Sequence, residues 1–104
     1  MIENDIRTLL AAPATGDDAP TVDQLEYVLT SGYARSMEIE AERWRIERRI
    51  ADVAMGLVEG SPDGGTAELK SLAAKLRSAD GDLHELRELL VSLRRRAEAA
   101  RAAA

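Results

Sequence analysis

The chain of 104 residues contains no cysteine and no phenylalanine, and aromatic residues make up only 3% of it. Without cysteine the protein has neither disulfide bonds nor thiolate ligands for a metal ion. Aromatic and β-branched residues are few and no apolar–polar alternation is present, which argues against β-strands. The composition therefore predicts a single all-α domain built from long packed helices.

Long apolar runs and basic tracts of the kind that indicate membranes or nucleic acids are also missing. No stretch approaches the roughly 18 apolar residues that a membrane-spanning helix needs. The first residues lack the basic and apolar regions of a signal peptide. A formal net charge of −5 argues against a general nucleic-acid binder. We therefore expect a cytoplasmic protein with no membrane and no nucleic-acid partner, and the excess of arginine over lysine suggests a bacterial genome.

The sequence offers little for catalysis or metal binding. His84 is the only histidine, and with Glu88 four residues later it would supply at most two ligands, which make a poor metal site. There is no Ser-x-x-Lys motif, no glycine-rich loop between a strand and a helix, and no paired carboxylates suited to acid–base chemistry. We therefore predict no enzyme activity, no catalytic residue, no cofactor and no metal site.

Small and apolar residues recur at steps of three and four from Leu69 to the C-terminus. The members of this series are Leu69, Leu72, Leu76, Ala79, Leu83, Leu86, Leu90, Leu93, Ala97, Ala100 and Ala104. Such a heptad repeat predicts a long helix that packs against another long helix. Asp80, Gly81 and Asp82 interrupt it with residues that favour a helix end, but the heptad phase continues, so we predict one continuous helix.

A second series with the same spacing lies earlier in the chain. Its members are Val22, Leu25, Leu29, Gly32, Ser36, Ile39, Arg43, Ile46, Ile50, Val53 and Leu57. Thr21 and Gln24 form a capping box that predicts where this helix begins. The two series predict helices of about 21–58 and 66–103, separated by a turn at 59–65 that contains Gly60 and Pro62, with Thr66 as the N-cap of the later helix.

Two series of equal length around a short turn predict a long antiparallel helical hairpin, residues 21–104, that resembles a coiled coil. Aligning Leu57 with Leu69 places Gly32 opposite Leu93 and Ser36 opposite Leu90, so that small residues face large ones. Residues 1–42 hold nine acidic and two basic residues, whereas 94–104 hold four basic and one acidic, which favours the same antiparallel orientation.

The N-terminal residues predict a short amphipathic helix at 1–12, because Ile2, Ile6, Leu9 and Leu10 share one helical face. Residues 13–20 are small, acidic or helix-breaking and predict a flexible linker. A helix of this length is unstable alone in water, so we expect it to dock either on its own helical bundle or on a partner.

The helix at 21–58 carries a second apolar stripe beside the first series. The stripe comprises Tyr33, Met37, Ala41, Trp44, Ala51, Met55 and Val58, with Arg48 in phase among them. A helix with two apolar faces needs two neighbours, which could be the N-terminal helix, a second hairpin completing a four-helix bundle, or a different protein. We predict a partner-binding surface formed by Tyr33, Met37, Trp44, Arg48 and Met55, since such residues are typical interface anchors.

These features favour a non-catalytic helical-hairpin module for protein–protein interaction, acting as an adaptor, scaffold or small chaperone. Its partner would be a second copy, giving a homodimer, or an unidentified protein. The alternative is a small helical-dimer enzyme or ligand binder with an arginine-lined anion site. Arg43 is the residue that suggests this alternative, because it is a cation at an otherwise apolar position, although it could instead reach Asp82 or Glu85.

Overall fold

A computed structural model of the chain describes residues 1–60 and 65–104. The described residues form three helices, α1 (Ile2–Ala11), α2 (Val22–Val58) and α3 (Gly65–Ala103), and contain no strand. The predicted all-α class is therefore confirmed. The central part of the predicted turn, including Pro62, lies outside the described residues.

The capping residues of α2 behave as the sequence predicts. The Thr21 hydroxyl accepts a hydrogen bond from the Gln24 amide at 3.1 Å, and the Gln24 side-chain oxygen accepts one from the Thr21 amide at 2.9 Å. Beyond the other end of α2, Gly60 adopts a left-handed φ of 84° and its amide donates to the Leu57 carbonyl. Such a reversal is easiest for glycine, which explains its position two residues after the last helical residue.

The third helix differs from the prediction at its beginning but not in its interior. It starts at Gly65, so Thr66 lies inside the first turn and is not the N-cap. The helix continues through Gly81 without interruption, as the unbroken heptad phase predicts. A Cβ atom on Gly81 would meet nothing within 4 Å, so no contact requires glycine at this position.

The chain divides into two compact units. Unit 1 contains Met1–Met37 and His84–Ala104, and unit 2 contains Glu38–Leu83. The long helices α2 and α3 each contribute one segment to either unit, whereas α1 belongs to unit 1 alone.

The core of unit 1 combines residues from all three helices. Its buried hydrophobic members are Ile6, Leu25, Leu86, Leu90, Leu93 and Ala97. Gly32 makes their close approach possible, because a Cβ atom there would lie 2.5 Å from Cδ2 of Leu90 and 3.4 Å from Cδ1 of Ile6. The residue against Gly32 is thus Leu90, one helical turn before Leu93, which the alignment of the two series had assigned to it.

The first helix is fixed in unit 1 by polar as well as apolar contacts. The Arg96 guanidinium donates hydrogen bonds to the carbonyl oxygens of Leu10 at 3.1 Å, Ala12 at 2.6 Å and Pro13 at 2.6 Å. These carbonyls lie at and just beyond the end of α1, where a helix leaves acceptors unpaired and attracts a cation. Arg7 of α1 also forms an exposed ion pair with Glu85 of α3.

The core of unit 2 comes from two helices only. Ile46, Val53 and Leu72 form its buried cluster, and three partly buried residues pack around them, namely Ile50, Leu69 and Leu76. A Cβ atom on Gly65 would lie 2.6 Å from Cδ2 of Leu57. The helix thus places Gly65 against Leu57, one turn before Leu69, because α3 begins four residues ahead of its first leucine.

Candidate protein-interaction surface

Every residue predicted to bind a partner lies on α2 and is exposed. The exposed fractions are 40% for Tyr33, 66% for Met37, 58% for Trp44 and 59% for Met55, and Arg48 is exposed as well. Tyr33 and Met37 belong to unit 1, whereas the other three belong to unit 2. The predicted surface therefore has one part in each unit.

The part in unit 2 is a continuous stripe, called the unit 2 patch below. It consists of Ala41, Trp44, Arg48, Ala51 and Met55, all exposed and spaced at steps of three and four along α2. The guanidinium carbon of Arg48 lies 5.3 Å from the centroid of the Trp44 indole. Residues four apart on a helix are neighbours, so this cation–π contact gives the centre of the patch a defined shape.

The unit 2 patch lies on the opposite side of α2 from the core of that unit. Ile46 and Val53 are buried against α3, whereas Trp44 and Met55 remain more than half exposed. Tryptophan, methionine and arginine are enriched in the centres of protein interfaces, and exposed large apolar residues in a row are unusual on a monomeric protein. In unit 2, α2 thus has two apolar faces, of which α3 covers one.

The part in unit 1 is a groove between α2 and α3. Its volume is about 300 Å³ and its lining comprises Tyr33, Ser36, Arg87, Leu90, Val91 and Arg94. Ser36 is buried and satisfied, because its hydroxyl donates to the Tyr33 carbonyl at 2.7 Å. Val91, which is 41% exposed, was not among the predicted residues, although its position directly after Leu90 of the heptad series could have indicated it.

The first helix does not cover the exposed residues of unit 1. It packs against Gly32 and Leu90 through Ile6, and it leaves Tyr33 and Met37 accessible. The interpretation in which α1 folds back over the second apolar stripe is therefore wrong for these two residues. A second groove of about 310 Å³ lies between α1 and α2 and includes the exposed ring of Tyr27.

Arg43, the candidate for an anion site, is bound by carboxylates. Its Nε atom lies 2.7 Å from Oδ1 of Asp80 and 3.2 Å from Oε1 of Glu47. The contact is an ion pair without a well-aligned hydrogen bond at Nε. Arg43 thus reaches an acid of α3, as expected for a cation at a helix interface, but the acid is Asp80 and not Asp82 or Glu85.

His84 and Arg49 also pair with carboxylates. His84 Nε2 lies 3.1 Å from Glu88 Oε1 on the exposed side of α3. The Arg49 guanidinium donates to Glu68 at 2.7 Å, and this hydrogen bond, together with the negative charge of Glu68, raises the pKa of Arg49. In residues 1–60 and 65–104, no group of three or more His, Asp or Glu side chains is placed to hold a metal ion.

Among the described residues, no helix combines the length and the apolar character that crossing a membrane requires. No protein-family model, no curated protein and no solved structure matches the chain. Function must therefore be inferred from the exposed faces themselves.

Proposed function

We propose that the protein is a non-catalytic interaction module, an antiparallel helical hairpin that associates with a second copy or with another protein through the outer face of α2. The observation that carries this proposal is the exposure of Trp44 and Met55, at 58% and 59%, on a helix face that no other described element covers. Adaptor, scaffold and small-chaperone roles all require such a face and no reaction chemistry.

Contacts within unit 1 support the hairpin. Glu26 of α2 pairs with Arg101 of α3. Six residues further along α2, Gly32 lies against Leu90, which precedes Arg101 in α3. Residue numbers rise along one helix as they fall along the other, as in an antiparallel pair.

Contacts within unit 2 support the same arrangement. Arg43 pairs with Asp80 at 2.7 Å, and further along α2, Leu57 lies against Gly65 at the beginning of α3. The order is again reversed between the two helices. Two hairpins joined along α2 would give the four-helix assembly that the sequence predicts.

Energetics favour an occupied face over a bare one. Burying a large apolar side chain contributes about 1.5–3 kcal/mol, so Trp44 and Met55 together offer a sizeable driving force for association. Two helices packed alone are also only marginally stable, because a two-helix unit has little interior in which to bury apolar surface. A partner on the outer face of α2 would give unit 2 the second layer of contacts that it lacks.

Two measurements on the purified full-length chain test this proposal. Light scattering gives the mass in solution, and affinity capture from a native lysate shows Trp44-dependent partners. Trp44→Glu places a charge at the centre of the unit 2 patch and should abolish whichever association occurs. Ala74→Glu is the matched control, because it adds the same charge at an exposed position of α3.

We expect wild type and Ala74→Glu to associate alike and Trp44→Glu to remain monomeric and without partners. Helical content and thermal unfolding by circular dichroism would verify that all three chains fold. The proposed function would be refuted if the wild type is folded and monomeric and if every protein that it captures is also captured by Trp44→Glu.

A further inference from the structure

We infer that the occupant of the unit 2 patch is a second copy of this chain, whose α2 runs antiparallel and crosses the patch at the level of Ile46. This inference rests on the proposed function, which also allows an unrelated protein to occupy the patch. It adds the identity of the partner, the direction of the two helices and the register between them.

The spacing of the patch provides the first argument, because four of its five members lie symmetrically about the level of Ile46, whose own side chain packs against α3. Met55 has no counterpart within the patch. Ala41 and Ala51 lie five residues to either side of that centre, and Trp44 and Arg48 lie two residues to either side. A two-fold axis at Ile46 therefore brings the same surface of both copies together, as an isologous dimer requires.

Size complementarity follows from this register. Ala41 of one copy meets the partner's Ala51, so two small residues face each other on each side of the centre. Trp44 meets the partner's Arg48, and the alanine layers beside it leave room for the indole. Helices whose contact residues are small can approach to the short end of the usual 8–10 Å interaxial distance.

Charge complementarity selects the antiparallel direction. In this direction the Arg48 guanidinium reaches the partner's Trp44, whose indole face attracts a cation. Arg48 already lies 5.3 Å from Trp44 of its own chain, so the cation is positioned over an aromatic surface before association. A parallel pair in register would instead place Arg48 against the partner's Arg48, where two like charges would repel each other in a partly dehydrated contact.

The flanks of the same register make a separate prediction about salt. Arg45 lies on one flank of the contact and Glu47 on the other, and each is one residue from the centre. The two-fold axis keeps each flank on its own side, so each residue comes close to its own counterpart in the partner, about 3 Å apart along the axis. These like-charge pairs weaken the dimer at low ionic strength. Because salt screens exposed charges, the dimer should become tighter as the salt concentration rises.

Disulfide trapping tests the register directly, because the chain contains no cysteine. Ala41→Cys and Ala51→Cys both replace exposed residues of α2. When the two variants are mixed and oxidised, the inferred register brings one cysteine of each to within the Cα separation of under about 7 Å that a disulfide needs. Two copies of Ala41→Cys would hold their cysteines about 15 Å apart along the axis and should not be linked.

We expect a disulfide-linked dimer in the mixture and none in either variant alone, with the linked pair identified by tryptic peptide mapping. Ala74→Cys on α3 measures the background from random collisions. Preferential linking of Ala41→Cys to itself would overturn the antiparallel register. A monomeric wild type with linking no greater than background would overturn the second copy as occupant, and Trp44-dependent capture of another protein would then leave the proposed function standing.

Discussion

Units 1 and 2 contain segments of the same two long helices but differ in how completely they bury their apolar residues. In unit 1, Ile6, Leu86 and Leu93 have an exposed fraction of 0%. In unit 2, Ile39 and Leu83 retain only 2% near the limits of its residue range, but the central residues Ile46 and Leu72 each retain 8%. The difference follows from α1, which contributes Ile6 to unit 1 and has no equivalent among the described residues of unit 2.

This comparison shows how much a third helix changes a two-helix contact. Two helices leave the edges of their shared stripe open to water, whereas a third helix closes one edge and completes a core. Unit 1 obtains the third helix from its own chain. Unit 2 has no such helix among its described residues, and a partner could cover the open outer face of its α2 segment.

The largest expected effect comes from the same substitution made in each unit. Leu86→Ala removes a side chain with no exposure and should lower the free energy of unfolding by about 2–5 kcal/mol. Leu72→Ala removes a side chain that is partly open to water, and the surrounding residues can close the remaining space more easily. Its effect should therefore lie at the low end of that range. Urea denaturation of both variants measures the difference, and an equal or larger loss from Leu72→Ala would contradict the comparison.

Arg96→Ala should loosen α1 and weaken unit 1 selectively. The substitution leaves three carbonyl oxygens at the end of α1 without the donors that now reach them. Hydrogen bonds from a charged group contribute roughly 1.5–3 kcal/mol, and most of this should appear as faster amide exchange in α1. Arg95→Ala, which removes the exposed neighbouring arginine, is the control. Equal exchange in the two variants would show that Arg96 does not hold α1.

Two glycines that both lie inside helices should respond in opposite ways to alanine. Gly81→Ala should stabilise the chain by about 1 kcal/mol, because the new Cβ atom meets nothing and alanine favours a helix. Gly32→Ala gains the same preference, but its Cβ atom would lie 2.5 Å from Cδ2 of Leu90 and 3.4 Å from Cδ1 of Ile6, both of which are buried. Overpacking of this kind costs about 1–3 kcal/mol. Thermal unfolding should therefore rank Gly81→Ala above Gly32→Ala, and the reverse order would show that unit 1 is loosely packed around α1.

Local signals in the sequence predicted much of the fold. The capping box at Thr21 and Gln24 and the unbroken heptad phase across Gly81 depend on neighbouring residues, and the structure confirms both. The exposed residues of the candidate surface, such as Trp44, followed from their phase beside the first heptad series. Their function as a binding surface remains a prediction.

Features that depend on contacts between residues far apart in the sequence were harder to predict. The register differed by one turn at Gly32 and Leu57, because heptad spacing repeats and does not distinguish one turn from the next. The position of α1 could not be predicted, since Arg96 binds carbonyl oxygens of the backbone, which every residue possesses. Arg96 follows directly after Arg94 and Arg95, and nothing in this stretch shows which backbone it will contact.

The contact between Arg96 and the end of α1 has a consequence for sequence variation. All three acceptors are main-chain oxygens, so the anchor does not depend on which side chains occupy positions 10, 12 and 13. Substitutions there would leave those hydrogen bonds available, and the exposed part of the N-terminal segment could diverge freely between homologues or carry an engineered label. Arg96 itself, together with Gly32 and Ile6, would then be under the stronger constraint.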